Sequence, residues 1–172
     1  MTMKTAEVTL KGKPLTLTGR TPETGQPAPD AALVANDGSM VHLSDFFGRN
    51  KKVIFAAVPS LDTNICSTET RRFDQEAAKL GPDVQILVVS MDLPFAQSRW
   101  CGAAGVSNVR TLSDHKDAAF GTAYGVLIKE LRLLARSVFV VDARGILRYR
   151  QLVAEMTNEP NYDDVLDAAK SL

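Results

Sequence analysis

The chain is short of most groups that protein chemistry relies on. It holds two histidines, two cysteines and one tryptophan in 172 residues. His42 and His115 stand alone, outside any Cys-x-x-Cys or His-x3-His pattern, so spacing cannot assemble four metal ligands. There is no phosphate-cradling glycine loop, since Gly121 and Gly125 have the wrong spacing and context for one. An excess of one charge is also lacking: 20 basic and 20 acidic residues cancel, which argues against nucleic-acid or membrane-surface partners. No run approaches the roughly 18 apolar residues of a membrane span. Residues 1–20 contain no apolar segment of the kind a secretory leader needs. Two cysteines are too few for a secreted disulfide scaffold, so a cytoplasmic, reducing setting is expected. No cofactor and no metal are expected.

What is present is ordinary for a globular protein, 45% apolar and 23% charged, and long enough to bury a core as one domain over residues 1–172. Thr5 to Thr18 reads as a hairpin turning at Lys11-Gly12-Lys13-Pro14. Short strands are expected at Ala31 to Ala35 and Met40 to Leu43. Lys52 to Val58 is nearly all apolar, as a strand buried on both faces would be. A helix is predicted from Asn64 to Leu80, stopped by Gly81-Pro82, then a buried strand from Val84 to Ser90. Asp92 reads as the cap of a second helix with Pro94 in its first turn, ending near Ala104 before Gly105. Further elements follow at Val109 to Leu112 (strand), Asp117 to Tyr124 (helix), Ser137 to Val141 and Ile146 to Val153 (an antiparallel pair), and Asn161 to Leu172 (a terminal amphipathic helix). This order describes an α/β fold, a central mixed sheet flanked by helices in the thioredoxin-like arrangement, with residues 1–18 as an N-terminal β-hairpin extension.

One position stands out. The apolar strand ends at Val58-Pro59, a polar loop follows through Thr63, and Cys66 falls at the start of the next helix. The first amides of a helix lack intrahelical acceptors and the helix dipole favours negative charge there. A thiol so placed loses its proton more readily than a free one, whose pKa is about 8.5. Thr63, three residues earlier, offers a hydroxyl to the sulfur or to a ligand beside it, and Pro59 stiffens the loop. The plainer alternatives stay open: Cys66 as a small buried hydrophobe, and Thr63 or Asn64 as a helix cap only. Glu69 stands where the second cysteine of a Cys-x-x-Cys would be, which excludes dithiol exchange by that motif. A Cys-His pair would need His42 or His115 beside Cys66, and nothing in the sequence puts either there. The other cysteine, Cys101, lies on the next predicted helix.

Pro59-x3-Thr63-x2-Cys66 resembles the active-site motif of the peroxiredoxins. Three ordered segments, Val58 to Thr63, Met91 to Ala103 (Met-Asp-Leu-Pro-Phe-Ala-Gln-Ser-Arg-Trp-Cys-Gly-Ala) and Thr157 to Tyr162, resemble the bacterial thiol peroxidase subfamily, the atypical two-cysteine peroxiredoxins. The resemblance implies roles. Cys66 matches the peroxidatic cysteine and Cys101 the resolving cysteine, joined by a redox disulfide. Thr63 matches the hydroxyl that bonds thiolate and peroxide, and Pro59 the proline that shields the pocket. Arg136 matches an arginine reaching the site from a later strand. The resemblance also implies peroxide as substrate, thioredoxin as reductant and a homodimer. Lys129-Glu130-Leu131-Arg132 departs from the family's usual glycine-containing loop. Without the resemblance, Arg136 reads first as a strand cap or the partner of a surface carboxylate. A peroxide-sensing redox relay and a non-catalytic thioredoxin-fold binding module remain alternatives. A disulfide needs Cα atoms within about 7 Å. Two packed helices do not start that close, so local unwinding around Cys66 or Cys101 is expected on oxidation.

Overall fold

The computed structural model describes residues 3–48 and 50–172. In chain order the strands are β1 (Met3–Leu10), β2 (Lys13–Thr18), β3 (Ala32–Ala35), β4 (Met40–His42), β5 (Lys52–Ala57), β6 (Val84–Ser90), β7 (Arg110–Ser113), β8 (Leu127–Ile128), β9 (Leu133–Leu134), β10 (Ser137–Val141) and β11 (Leu147–Leu152). The helices are α1 (Asn64–Leu80), α2 (Pro94–Ala104), α3 (Ala119–Tyr124) and α4 (Tyr162–Lys170). Seven strands form the main sheet in the order β11-β10-β5-β6-β7-β3-β4. β5, β6 and β7 run parallel, and the other pairings are antiparallel.

The apolar run of β5 explains its central place. Strand side chains alternate between faces, and here both faces are covered. Val53, Phe55 and Ala57 enter one core, with Phe120 and Tyr124 of α3. Ile54, Ala56 and Val58 enter the other, with Cys66 and Phe73 of α1 and Val165 and Ala169 of α4. Trp100 of α2 packs on this second core. The mixed sheet with helices on both faces is therefore as expected. Among the described residues, no helix is long and apolar enough to cross a membrane.

The N-terminal hairpin does more than extend the fold. The first two positions of the expected 1–18 segment lie outside the described residues. Leu17 and Thr18 of β2 pair with Ile128 and Leu127 of β8, so the hairpin belongs to a second sheet, β1-β2-β8-β9. Val8, Leu15 and Leu17 of the hairpin sit in the first core. The β8–β9 hairpin was not anticipated, because two-residue strands carry no readable period. Its turn is the Lys129–Arg132 departure: Arg132 takes a left-handed φ of 50° and Glu130 accepts from the Thr16 N–H. Glu155 fastens the first hairpin, accepting from the Lys11 N–H, the Gly12 N–H and the Thr9 hydroxyl. Those bonds, Thr9's foremost, hold its carboxyl down at about 2.

Two local expectations need correction. Asp92 does not cap α2: Leu93 holds the N-cap position without a side-chain bond, and Asp92 turns toward the loop before α1. The third helix starts at Ala119, two residues later than expected. There the buried Asp114 accepts from the Phe120 and Gly121 N–H groups, reaching forward to cap it. Burial pushes Asp114 up to about 6 against those hydrogen bonds.

Candidate active site

β5 carries the chain into a loop where Val58 and Pro59 are buried. Thr63, in extended conformation, is the N-cap of α1, and its side-chain oxygen accepts from the Cys66 N–H at 3.4 Å. Its own hydroxyl hydrogen goes to the Ser60 carbonyl at 3.0 Å, not to the Cys66 sulfur. Asn64, the competing cap, is the first helical residue. Cys66 has no exposed surface.

Arg136 lies between β9 and β10 and is 1% exposed, the largest of the fully buried side chains. Its Nη2 donates to Cys66 Sγ at 3.4 Å and to the Met156 carbonyl at 3.0 Å. Nη1 pairs with Glu69 Oε2. Glu69 follows Cys66 by three residues, so the helix puts both on one face, toward the same guanidinium. Burial pushes the Glu69 carboxyl up to about 7, against the lowering pull of Arg136. For Arg136, burial favours deprotonation. The Glu69 carboxylate and the Cys66 sulfur outweigh it and raise the guanidinium above its ordinary value. Glu69 Oε1 and Arg136 Nε have no hydrogen-bond partner among the described residues.

Cys101 sits half-buried on α2 with its Sγ 3.6 Å from Thr111 Oγ1. The Thr111 hydroxyl donates to Asn36 Oδ1, which leaves the Cys101 S–H to donate to Thr111. Burial pushes this thiol up, toward the neutral form. Both cysteines are free. The structure thus joins Thr63, Cys66 and Arg136 by hydrogen bonds, buries Pro59 in the loop that leads to them, and holds Cys101 on other partners. A cavity of about 700 Å³ lies elsewhere, lined by Gly19, Pro22, Pro27 and Thr122 among others. Among the described residues, no cluster of His, Cys, Asp or Glu is placed to hold a metal ion.

A family model described as Redoxin matches residues 23–166. The chain belongs to the Redoxin family. Within that family it is similar to bacterial thiol peroxidases. It is 53% identical to the thiol peroxidase of Bacillus subtilis (strain 168), over 97% of this chain and 98% of that protein. It is 49% identical to the thiol peroxidase of Halalkalibacterium halodurans, over 96% and 98%. A crystal structure of a peroxiredoxin-like protein from Aquifex aeolicus superposes with a TM-score of 0.88 at 41% identity, covering 97% of this chain and 98% of that one.

Sequence reasoning missed Glu69 as a site residue of this Redoxin chain. Its signal was available, since Cys66, Glu69 and Phe73 follow helical spacing on the buried face of α1. A carboxyl whose folded pKa lies above its unfolded value stabilises the fold fully below the unfolded value. That contribution is lost as pH rises through the folded one. For Glu69 the window runs from about 4.5 to about 7. Glu69→Gln is therefore expected to flatten part of the stability loss between pH 5 and pH 8. Urea denaturation of both proteins at the two pH values checks this, and equal slopes would refute it.

Proposed function

We propose that the chain reduces hydrogen peroxide and organic hydroperoxides to water and alcohols through Cys66, with Cys101 and thioredoxin completing the cycle. The carrying observation is Arg136 Nη2, 3.4 Å from Cys66 Sγ, at a helix start whose cap is Thr63. The Cys66 thiolate attacks one peroxide oxygen and the O–O bond breaks. Sulfur is oxidised to the sulfenic acid, and the other oxygen takes a proton and leaves as water or alcohol. Charge moves onto that leaving oxygen, where Arg136, the helix-start amides and the Thr63 hydroxyl, turned from Ser60, stabilise it. Pro59 keeps the loop closed over the sulfur. The Cys101 thiol then condenses with the sulfenic acid, releasing water and forming the Cys66–Cys101 disulfide. A thioredoxin dithiol reduces it by exchange and is itself oxidised. The protein acts as a single domain over residues 1–172, as its length suggests, in a cytoplasmic setting that its two cysteines favour, and as a homodimer, as its resemblance to the thiol peroxidases implies.

The test is NADPH consumption with thioredoxin, its reductase and cumene hydroperoxide. Wild type is expected to turn over many times, and no turnover would overturn the reading. Cys101→Ser is expected to keep the first peroxide turnover, measured as one equivalent consumed per chain. It stops there, with a sulfenic acid at Cys66 trapped by dimedone.

A further inference from the structure

At the C-terminal ends of β5 and β6, one carboxylate that the peroxide chemistry does not touch organises the polar groups. Asp92 Oδ1 accepts from Ser60 Oγ at 2.7 Å. Its Oδ2 accepts from the Leu61 N–H at 2.8 Å and from Ser90 Oγ at 2.7 Å. Ser90 Oγ accepts in turn from the side-chain amide of Gln97, on α2, at 2.9 Å. On the loop side, the Ser60 carbonyl accepts from the Thr63 hydroxyl, and Thr63 accepts from the Cys66 N–H. A continuous chain of groups therefore joins the helix start at Cys66 to α2, the helix that bears Cys101.

We propose that Asp92 is a latch between the two cysteine segments, a positioning residue that favours the peroxide step and restrains disulfide closure. This rests on the reading of Cys66 and Cys101 given above. The two half-reactions make opposite demands. Attack on peroxide needs the 59–63 loop held so that Thr63, the helix-start amides and Arg136 converge on one oxygen. Closure of the disulfide needs Cys66 to leave a site with no exposed surface and Cys101 to leave Thr111. A carboxylate that takes three donors, two of them from the loop, opposes that departure. Asp92 is also turned away from α2, whose first turn has no side-chain cap. The same carboxylate thus tightens the Cys66 loop and, through Ser90, meets the Gln97 amide in the first turn of the Cys101 helix.

Asp92→Asn keeps the size, removes the charge and replaces one acceptor by a donor. Stopped-flow mixing of the reduced full-length protein with hydrogen peroxide separates the steps. Sulfenic acid formation is timed by quench and dimedone labelling. Closure is followed by fluorescence of Trp100, the only tryptophan, next to Cys101. Asp92→Asn is expected to slow the first step and speed the second, each by about tenfold, the factor one charge-assisted hydrogen bond corresponds to. Ser60→Ala, which removes a single donor, is expected to move both rates in the same directions by less. It carries the test if Asp92→Asn does not fold. A merely structural role would slow both steps together. That outcome, or two unchanged rates, overturns the latch. If wild type forms no Cys66 sulfenic acid or no Cys66–Cys101 disulfide, the underlying reading fails instead.

Discussion

Cys66→Ser is expected to abolish peroxide reduction while leaving the fold nearly as stable as wild type. The two side chains differ by one atom. Serine oxygen fits where the sulfur lay and accepts from Arg136 Nη2, the bond Cys66 Sγ now receives. Its own hydrogen reaches the carbonyl one turn back, as helical serines commonly do. The Glu69–Arg136 pair is untouched. A cost of about 1 kcal/mol would move the melting temperature by only about 2–4 °C in a chain of this size. The chemistry does not survive the exchange. A buried serine there gains no base from its hydrogen-bond partner: Arg136 is a guanidinium that only donates, and Glu69 Oε2 is committed to that same guanidinium. Without an activated nucleophile no bond to peroxide oxygen forms. The measurement pairs a thermal melt with hydroperoxide consumption and intact mass after oxidation. Consumption above a few per cent of wild type would move the chemistry to another residue, Cys101 first.

The parts of this site legible in the sequence are the local ones. A proline, a threonine and a cysteine within eight residues, between an apolar run and a helical pattern, describe a strand–loop–helix turn without any tertiary information. Arg136 was not legible from pattern. It follows Cys66 by seventy positions, and only the resemblance to the thiol peroxidases pointed to it. Asp92 was misread for a physical reason. An aspartate before Leu-Pro is a good helix cap by local chemistry. Ser60 and the Leu61 N–H, brought alongside by the parallel pairing of β5 and β6, compete for the same oxygens and win. The second sheet escaped because β8 and β9 are two residues each and take their stability from pairing with a distant hairpin. The central strands β5, β6 and β10, whose apolar runs are long, were read to within a residue.

Arg136→Met is expected to damage the protein in two separable ways. The first is catalytic. One guanidinium serves Cys66, Glu69 and the Met156 carbonyl at once, and its planar fork is what makes that geometry available. Removing a preorganised donor from a reacting oxygen costs about 10²–10³-fold in rate. The second is structural. Methionine fills much of the volume but leaves Glu69 fully buried with no counter-charge, a loss on the order of 3–5 kcal/mol. That loss grows as pH rises through the Glu69 pKa, because the protonated carboxyl tolerates burial and the ionised one does not. Adding Glu69→Gln removes the orphaned charge. The double variant Arg136→Met/Glu69→Gln is therefore expected to recover most of the stability at pH 8 and none of the peroxidase rate. Denaturant midpoints at pH 8 and second-order rates with hydrogen peroxide, taken on wild type, the single variants and the double, resolve the two effects. If the rate returned together with the stability, Arg136 would be scaffolding for α1. If it stays lost in a protein as stable as wild type, the guanidinium acts on the peroxide itself. Glu69 then serves to hold that charge in the core without letting it pair wholly with the sulfur.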